Sequence, residues 1–190
     1  MIYNIHYDVC SIAISILTVI CVLTTKDIER QENKAFLLIV MNGLLSGIFD
    51  IASAVANSFP AEFPRFTLEG LNFMYLVLHA CVAMQFYIYI RLNGGRDIRF
   101  DLRHPSPYMI PLAITLAVML LNPFLHWVYY FDENLRYCHG PMIYWMYASG
   151  GIYILMAFLD VAHYRKTTPW KRKALLLAFI AAGLLTVVIQ

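Results

Sequence analysis

An aspartate in the middle of a long apolar run carries the clearest chemical consequence in this sequence. Asp50 stands within the stretch 35–57. On a helix at 100° per residue, Asn42, Ser46, Asp50, Ser53 and Asn57 fall within an arc of about 80°. Gly43, Gly47 and Ala54 lie beside that arc, and Leu37, Leu44, Ile48, Ile51 and Val55 cover the opposite side. An acid inside an apolar helix costs several kcal/mol unless it faces other protein. The polar arc should therefore point inward, with Gly43 and Gly47 as a small-residue pair that lets a second helix approach. Two roles stay open for Asp50: a ligand or proton site, or an interhelical hydrogen bond.

The next apolar stretch offers partners. Asn72, Tyr75 and His79 share one face, and Asp50 lies at a depth between those of Asn72 and His79. A pairing of Asp50 with either predicts that Asp50→Leu orphans a polar group, at about 1–3 kcal/mol. Asn122, Pro123 and His126 close the fourth stretch, where Pro123 should kink the helix. Ser149, Tyr153 and Asp160 share a face of the fifth. Asp160 and His163 stand near its far end, within reach of the basic cluster 165–173 or of water. Asp50, Asn57, Asn72, His79, Asn122 and Tyr153 form the candidate ligand-binding set, either lining one polar cavity or acting as separate structural contacts.

Several chemistries are absent from the pattern. There is no phosphate-binding glycine loop, no His-Glu-x-x-His helix and no nucleophile with a base partner. Cys10, Cys21, Cys81 and Cys138 have no metal-ligand spacing. Cys21 and Cys81 read as small apolar fillers, and a Cys10–Cys138 disulfide stays open. Gly94, Gly95, Arg96 and Asp97 echo a nucleotide-cyclase signature but sit in a short basic turn. The residues predict no catalytic group, metal, cofactor or nucleic-acid partner.

What must position the polar residues is a lipid-embedded bundle. The chain has 190 residues, of which 61% are hydrophobic, more apolar surface than one soluble core hides. Runs of about 20 apolar residues suit helices crossing roughly 30 Å of hydrocarbon. Six such spans are predicted, at 9–25, 35–57, 69–90, 108–127, 141–164 and 174–190: an all-α, polytopic transmembrane helical bundle forming a single integral-membrane domain across 1–190. Lys26, Arg30 and Lys34, then Arg91, Arg96, Arg99 and Arg103, then Arg165, Lys166, Lys171, Arg172 and Lys173 occupy alternate gaps. Short basic loops stay cytoplasmic, so the N-terminus is placed outside a bacterial cell membrane. Tyr3, Tyr7, Trp127, Tyr129, Tyr130, Tyr144, Trp145, Tyr147 and Trp170 flank the spans as interfacial aromatics. The last apolar run reaches Gln190, which leads us to expect a seventh span beyond it.

The opening Tyr3-Asn4-Ile5-His6-Tyr7-Asp8, the boundary Gln31-Glu32-Asn33-Lys34 and the triplet Phe49-Asp50-Ile51 resemble a known arrangement. They are similar to the N-terminal multi-helix membrane region that precedes GGDEF domains in bacterial diguanylate cyclases, and similar regions precede some sensor kinases. The likeness covers about the first 60 residues, and no GGDEF domain lies within the chain. The resemblance implies a membrane anchor and sensory input module for a cytoplasmic output domain that makes cyclic di-GMP from two GTP. It also implies a homodimer through that domain and a small-molecule ligand reaching the bundle from outside. The competing expectation is a small transporter or channel-like protein with Asp50 and His79 along its path.

The topology is testable. In a cysteine-free background, externally added thiol reagent should label Glu62→Cys and Asn134→Cys and spare Asn93→Cys and Thr168→Cys. The reverse pattern would invert the bundle.

Overall fold

The computed structural model describes residues 6–24, 29–95, 107–163 and 170–189. Tyr3, Asn4, Ile5, Lys26, Arg96, Asp97, Arg99, Arg103, Arg165, Lys166, Thr168 and Gln190 lie outside the described residues. Six helices run along the chain: α1 (His6–Leu23), α2 (Gln31–Ser58), α3 (Arg65–Asn93), α4 (Ile110–Leu125), α5 (Ile143–His163) and α6 (Trp170–Ile189). The first five elements of this series are long and apolar enough to cross a membrane, α4 with the 3₁₀ turn Pro107–Met109 that leads into it.

Helices α2 and α3 overrun the expected spans at both ends, whereas α4 and α5 stop short of theirs. Hydropathy falls at the first charge, whereas backbone hydrogen bonding continues into polar flanks such as Gln31–Lys34 and Arg91–Asn93. Pro123 sits in the last turn of α4 and helps to end it rather than kinking it midway; His126 takes the left-handed cap position at φ 53°.

One part is not helical. Between α4 and α5 a two-stranded antiparallel hairpin pairs β1 (Tyr129–Phe131) with β2 (Tyr137–His139), Tyr130 opposite Cys138. This small hairpin is an addition to the expected helical bundle. The aromatic residues read as interfacial markers are also good strand formers, and Asp132 closes the turn by accepting hydrogen bonds from the Asn134 and Arg136 amides at 2.9 and 2.8 Å.

Helix α3 is the hub. It packs most extensively on α2, then on α5, and also touches α4, while α1 leans chiefly on α2 and α6 on α5. The α2–α3 pair is antiparallel and clamped by amides near both ends. Asn57 and Asn72 exchange hydrogen bonds at 3.2 Å each way. Asn42 donates to the Leu78 carbonyl and to Gln85 Oε1, both at 3.1 Å. Among the described residues all four cysteines are free thiols.

Buried apolar residues fall into two stacked clusters. One, at the hairpin end, joins Leu68 and Leu76 of α3 to Val118 and Met119 of α4, Ile143 of α5 and the hairpin. The other, toward the Arg91 end, joins Ala80, Tyr87 and Ile90 to Leu112, Tyr153, Ala157 and Leu176. Between them lie buried Thr115 and Ser149. Each hydroxyl satisfies itself on its own helix, Thr115 on the Pro111 carbonyl at 2.8 Å and Ser149 on that of Met146 at 2.9 Å. Trp145 Nε1 donates to Thr115 Oγ1 at 3.1 Å and so ties α5 to α4 at this level.

The Asn57–Asn72 exchange should show as coupling. In a double-mutant cycle of Asn57→Ala and Asn72→Ala, followed by unfolding in detergent, the pair should couple by about 0.5–2 kcal/mol. Strict additivity would mean the two amides do not act together.

Candidate functional site

The candidate residues occupy separate contacts. Asn57 and Asn72 meet in the α2–α3 clamp, and Asn72 also donates to the Leu68 carbonyl at 2.8 Å. Asn122 holds the hairpin. Its Oδ1 accepts from the Val128 amide at 2.7 Å and the Tyr129 amide at 3.3 Å, and its Nδ2 donates to the Tyr129 carbonyl at 3.0 Å. The side chain thus supplies the partners that the ended helix no longer can. Tyr153 lies toward the other end, where its hydroxyl donates to the Tyr108 carbonyl at 2.9 Å and accepts from the Leu112 amide at 3.0 Å. These three contacts fix α2, the hairpin and the start of α4.

Asp50 and His79 behave differently. Asp50 is half-buried, and among the described residues its carboxylate makes no hydrogen bond; only its backbone carbonyl accepts, from Ser53 Oγ at 2.9 Å. The expected pairing with Asn72 or His79 is not made. The register of the α2–α3 clamp gives Asn72 to Asn57, and His79 instead tilts against Tyr75, ring centroids 5.9 Å apart. Asp50 lies within electrostatic reach of Asp8 on α1 and of Tyr75 on α3. Gly47 explains the first approach, because a Cβ there would come 3.2 Å from Ile12 Cγ1. Gly43 has open space around it, so one glycine of the expected pair receives a helix.

His79 sits on the inward arc of α3, among the same positions as buried Leu68, Asn72, Leu76, Ala80 and Ile90, yet it is exposed. Tyr75, one turn nearer the hairpin, lies within reach of Asp8, Asp50, Tyr137 and Tyr147. A Cβ added at Gly150 or Gly151, one turn from Tyr147, would meet nothing within 4 Å. Tyr75 is thus the residue to which Asp8 of α1, Asp50 of α2, Tyr137 of β2 and Tyr147 of α5 are each related electrostatically, with the His79 ring 5.9 Å from its own. Asp8, Tyr137 and Tyr147 were missing from the sequence-based set. Each was legible only as an opening motif or an interfacial aromatic, and a helical wheel of one span carries no signal for neighbours on four others.

The hairpin side of this group is tied down. Tyr129 Oη donates to the Glu69 carbonyl at 2.7 Å and its ring stacks on Tyr137 at 5.7 Å. Burial pushes the Tyr129 phenol up, which keeps it a donor throughout the physiological range. Arg65 pairs with Glu69 at 2.8 Å and donates to the Phe131 carbonyl at 3.4 Å.

A second polar group, unforeseen in the sequence, lies at the Arg91 end. Tyr87 Oη donates to Asp160 Oδ2 at 3.0 Å and accepts from Arg91 Nη1 at 2.9 Å. The Arg91 guanidinium also stands 5.5 Å from the Tyr108 ring centroid, a cation–π distance. Asp160 was expected to meet the cluster 165–173 or water; residues 165–169 lie outside the described residues, and among those described Asp160 accepts from Tyr87 on α3. Elsewhere, an open apolar groove of ≈ 370 Å³ runs between α1 and α2, lined by Ile14, Leu17, Thr18, Cys21, Val22 and Phe36.

Among the described residues no group of three His, Cys, Asp or Glu is placed to hold a metal ion. Compared with family models, curated proteins and solved structures, the chain matches none.

The geometry reverses the sign expected for Asp50. Removing its charge relieves repulsion from Asp8 and orphans no described partner, so Asp50→Asn should melt at or above the wild-type temperature in detergent. Asn122→Ala, by contrast, strands backbone groups at about 1–3 kcal/mol each and should melt lower. A clear loss of stability in Asp50→Asn would show that the carboxylate is held by a partner.

Proposed function

We propose that this chain is the membrane-anchoring and sensory input module of a bacterial signalling protein. In this reading it crosses the cell membrane several times, with the hairpin end outside and the Arg91 end in the cytoplasm. The orientation is supported by the alternate basic gaps, since Arg30, Lys34, Arg91, Lys171 and Lys173 all fall at the Arg91 end.

The observation that carries the reading is the pair of polar groups strung along one helix. Tyr75 and His79 of α3 belong to the loosely held convergence at the hairpin end, while Tyr87 and Arg91 of the same helix belong to the bonded network at the other. A ligand that changes how α1, α2 and α5 meet at the first group acts on the helix that anchors the second. Such a shift needs only a ligand with different affinity for two arrangements of the bundle.

The output is proposed from the resemblance of Tyr3–Asp8, Gln31–Lys34 and Phe49–Ile51 alone: a cytoplasmic diguanylate cyclase domain, active as a homodimer. Produced from its natural gene, the protein should raise cyclic di-GMP in cells. Asp50→Ala and His79→Ala should change that level at least about twofold, a coupling change of about 0.4 kcal/mol, with membrane abundance unaltered. Cyclic di-GMP that does not respond to the protein, together with solute flux through liposomes carrying residues 1–190, would replace this reading with that of a transporter.

A further inference from the structure

The open groove between α1 and α2 is a wedge whose walls define what fits it. At Gly47 the two helices touch, since a Cβ there would come 3.2 Å from Ile12 Cγ1. One turn toward the Arg91 end on the same face of α2, a Cβ at Gly43 would meet nothing within 4 Å. The helices therefore part in that direction, and the space between them is the groove of ≈ 370 Å³. Its α1 wall is one helical face, Ile14, Leu17, Thr18 and Cys21, and Phe36 lines it from α2. Thr18 donates its hydroxyl to the Ile14 carbonyl of its own helix at 2.8 Å. The wall therefore presents apolar surface and asks for no polar partner.

Size and setting select the occupant. From Ile14 to Val22 the wall rises about 12 Å, and a helix about 10 Å across filling that length would displace on the order of 900 Å³. The wedge is too narrow for a helix of a second copy. Water does not occupy an apolar space of this kind. Both walls belong to helices long and apolar enough to cross a membrane, so what meets the open side is lipid hydrocarbon. The rim supplies the headgroup chemistry. Where α1 stops at Leu23 and α2 starts at Gln31, Lys34 stands 2.6 Å from Glu29 and Arg30 stands 3.9 Å from Glu32. Between Lys26 and Lys34 the three cations are matched in number by Asp27, Glu29 and Glu32. A rim carrying both signs equally complements a headgroup with a phosphate and an ammonium, and gives a purely anionic one no advantage. We propose that the wedge between α1 and α2 binds one phospholipid with a zwitterionic headgroup, an acyl chain along Ile14, Leu17 and Cys21 and the headgroup over Arg30 and Lys34. That this lipid also carries a signal rests on the reading above. The Phe36 ring lies 5.6 Å from that of Tyr89 on α3, and Tyr89 lies 5.5 Å from Phe179 on α6. A chain in the wedge thus bears on the first of three rings that cross the bundle to α6.

The test takes the full chain from liposomes of equal phosphatidylethanolamine and phosphatidylglycerol with identical acyl chains into a mild detergent, and weighs it by native mass spectrometry. One phosphatidylethanolamine should stay bound per chain, in preference to phosphatidylglycerol. Gly43→Leu and Thr18→Phe fill the wedge from its two walls and should each weaken retention at least about tenfold. Gly70→Leu, at an equally open glycine outside the groove, should leave retention unchanged. A phosphatidylethanolamine with a photoactivatable group in mid-chain should label Leu17 and Cys21 more heavily than Leu155, a similarly exposed residue of α5. No retained lipid, retention that survives both filling variants, or a preference for phosphatidylglycerol overturns the proposal, and so does a lipid-free dimer that the filling variants dissociate. Retention lost in Gly43→Leu with cyclic di-GMP unchanged by that variant supports the lipid site and overturns its part in signalling. Cyclic di-GMP that responds to Gly43→Leu when no lipid is retained by the wild type overturns the lipid site and leaves the signalling reading standing.

Discussion

Hydrocarbon offers no hydrogen-bonding partner, so every polar group carried into it must find one inside the protein. That constraint orders this bundle more than any apolar contact does. Apolar side chains are nearly as comfortable against lipid as against each other, and Leu38, Ile48, Leu120 and Leu155 are accordingly left exposed. Asn42, Asn57, Asn72 and Asn122 have no such freedom and are bonded. Most of these bonds end on α3 or on structure resting against it. The helix accepts α2 through two amide clamps, the hairpin through the Glu69 carbonyl, and α5 through Tyr87 and Asp160.

Against that background the Asp8–Asp50 pair is the exception, and the contrast with Asp160 locates it. Asp160 receives a tyrosine hydroxyl that is itself backed by an arginine. Asp50 receives nothing comparable from the described residues. The two ends of α3 therefore differ: at one, Asp160, Tyr87 and Arg91 are joined by hydrogen bonds, and at the other the Asp50 carboxylate makes none among the described residues. The level between the two apolar clusters is crossed by the Trp145–Thr115 and Asn42–Leu78 bonds.

The sequence made the spans and the polar arc of α2 legible because both follow from single-helix rules: run length against hydrocarbon thickness, and 100° per residue. Orientation of the side chains followed too, with Ile48 and Val55 outward and Asn42, Ser46 and Ser53 buried. Partners were not legible. Asn72 and His79 both lay at permitted depths for Asp50, and the choice of Asn57 for Asn72 depends on the interhelical register that the turn at 59–64 sets. The contact of Tyr153 with Tyr108 and Leu112 was not legible for the same reason, since its share of a face with Ser149 says nothing of where α4 begins. The hairpin was hidden because tyrosine and tryptophan serve both membrane interfaces and short strands, and only the closure through Asn122 and Asp132 distinguishes them.

The weak attachment of α1 gives the remaining step its physical size. None of its residues is buried, and it leans chiefly on α2, so moving it forfeits little packing. The contact at Ile12 and Gly47 holds it close, while the adjacent carboxylates push it away. For such an element the two arrangements, close and parted, need differ by only a few kcal/mol. Moving the ratio from 1:99 to 99:1 takes about 5.5 kcal/mol of differential affinity.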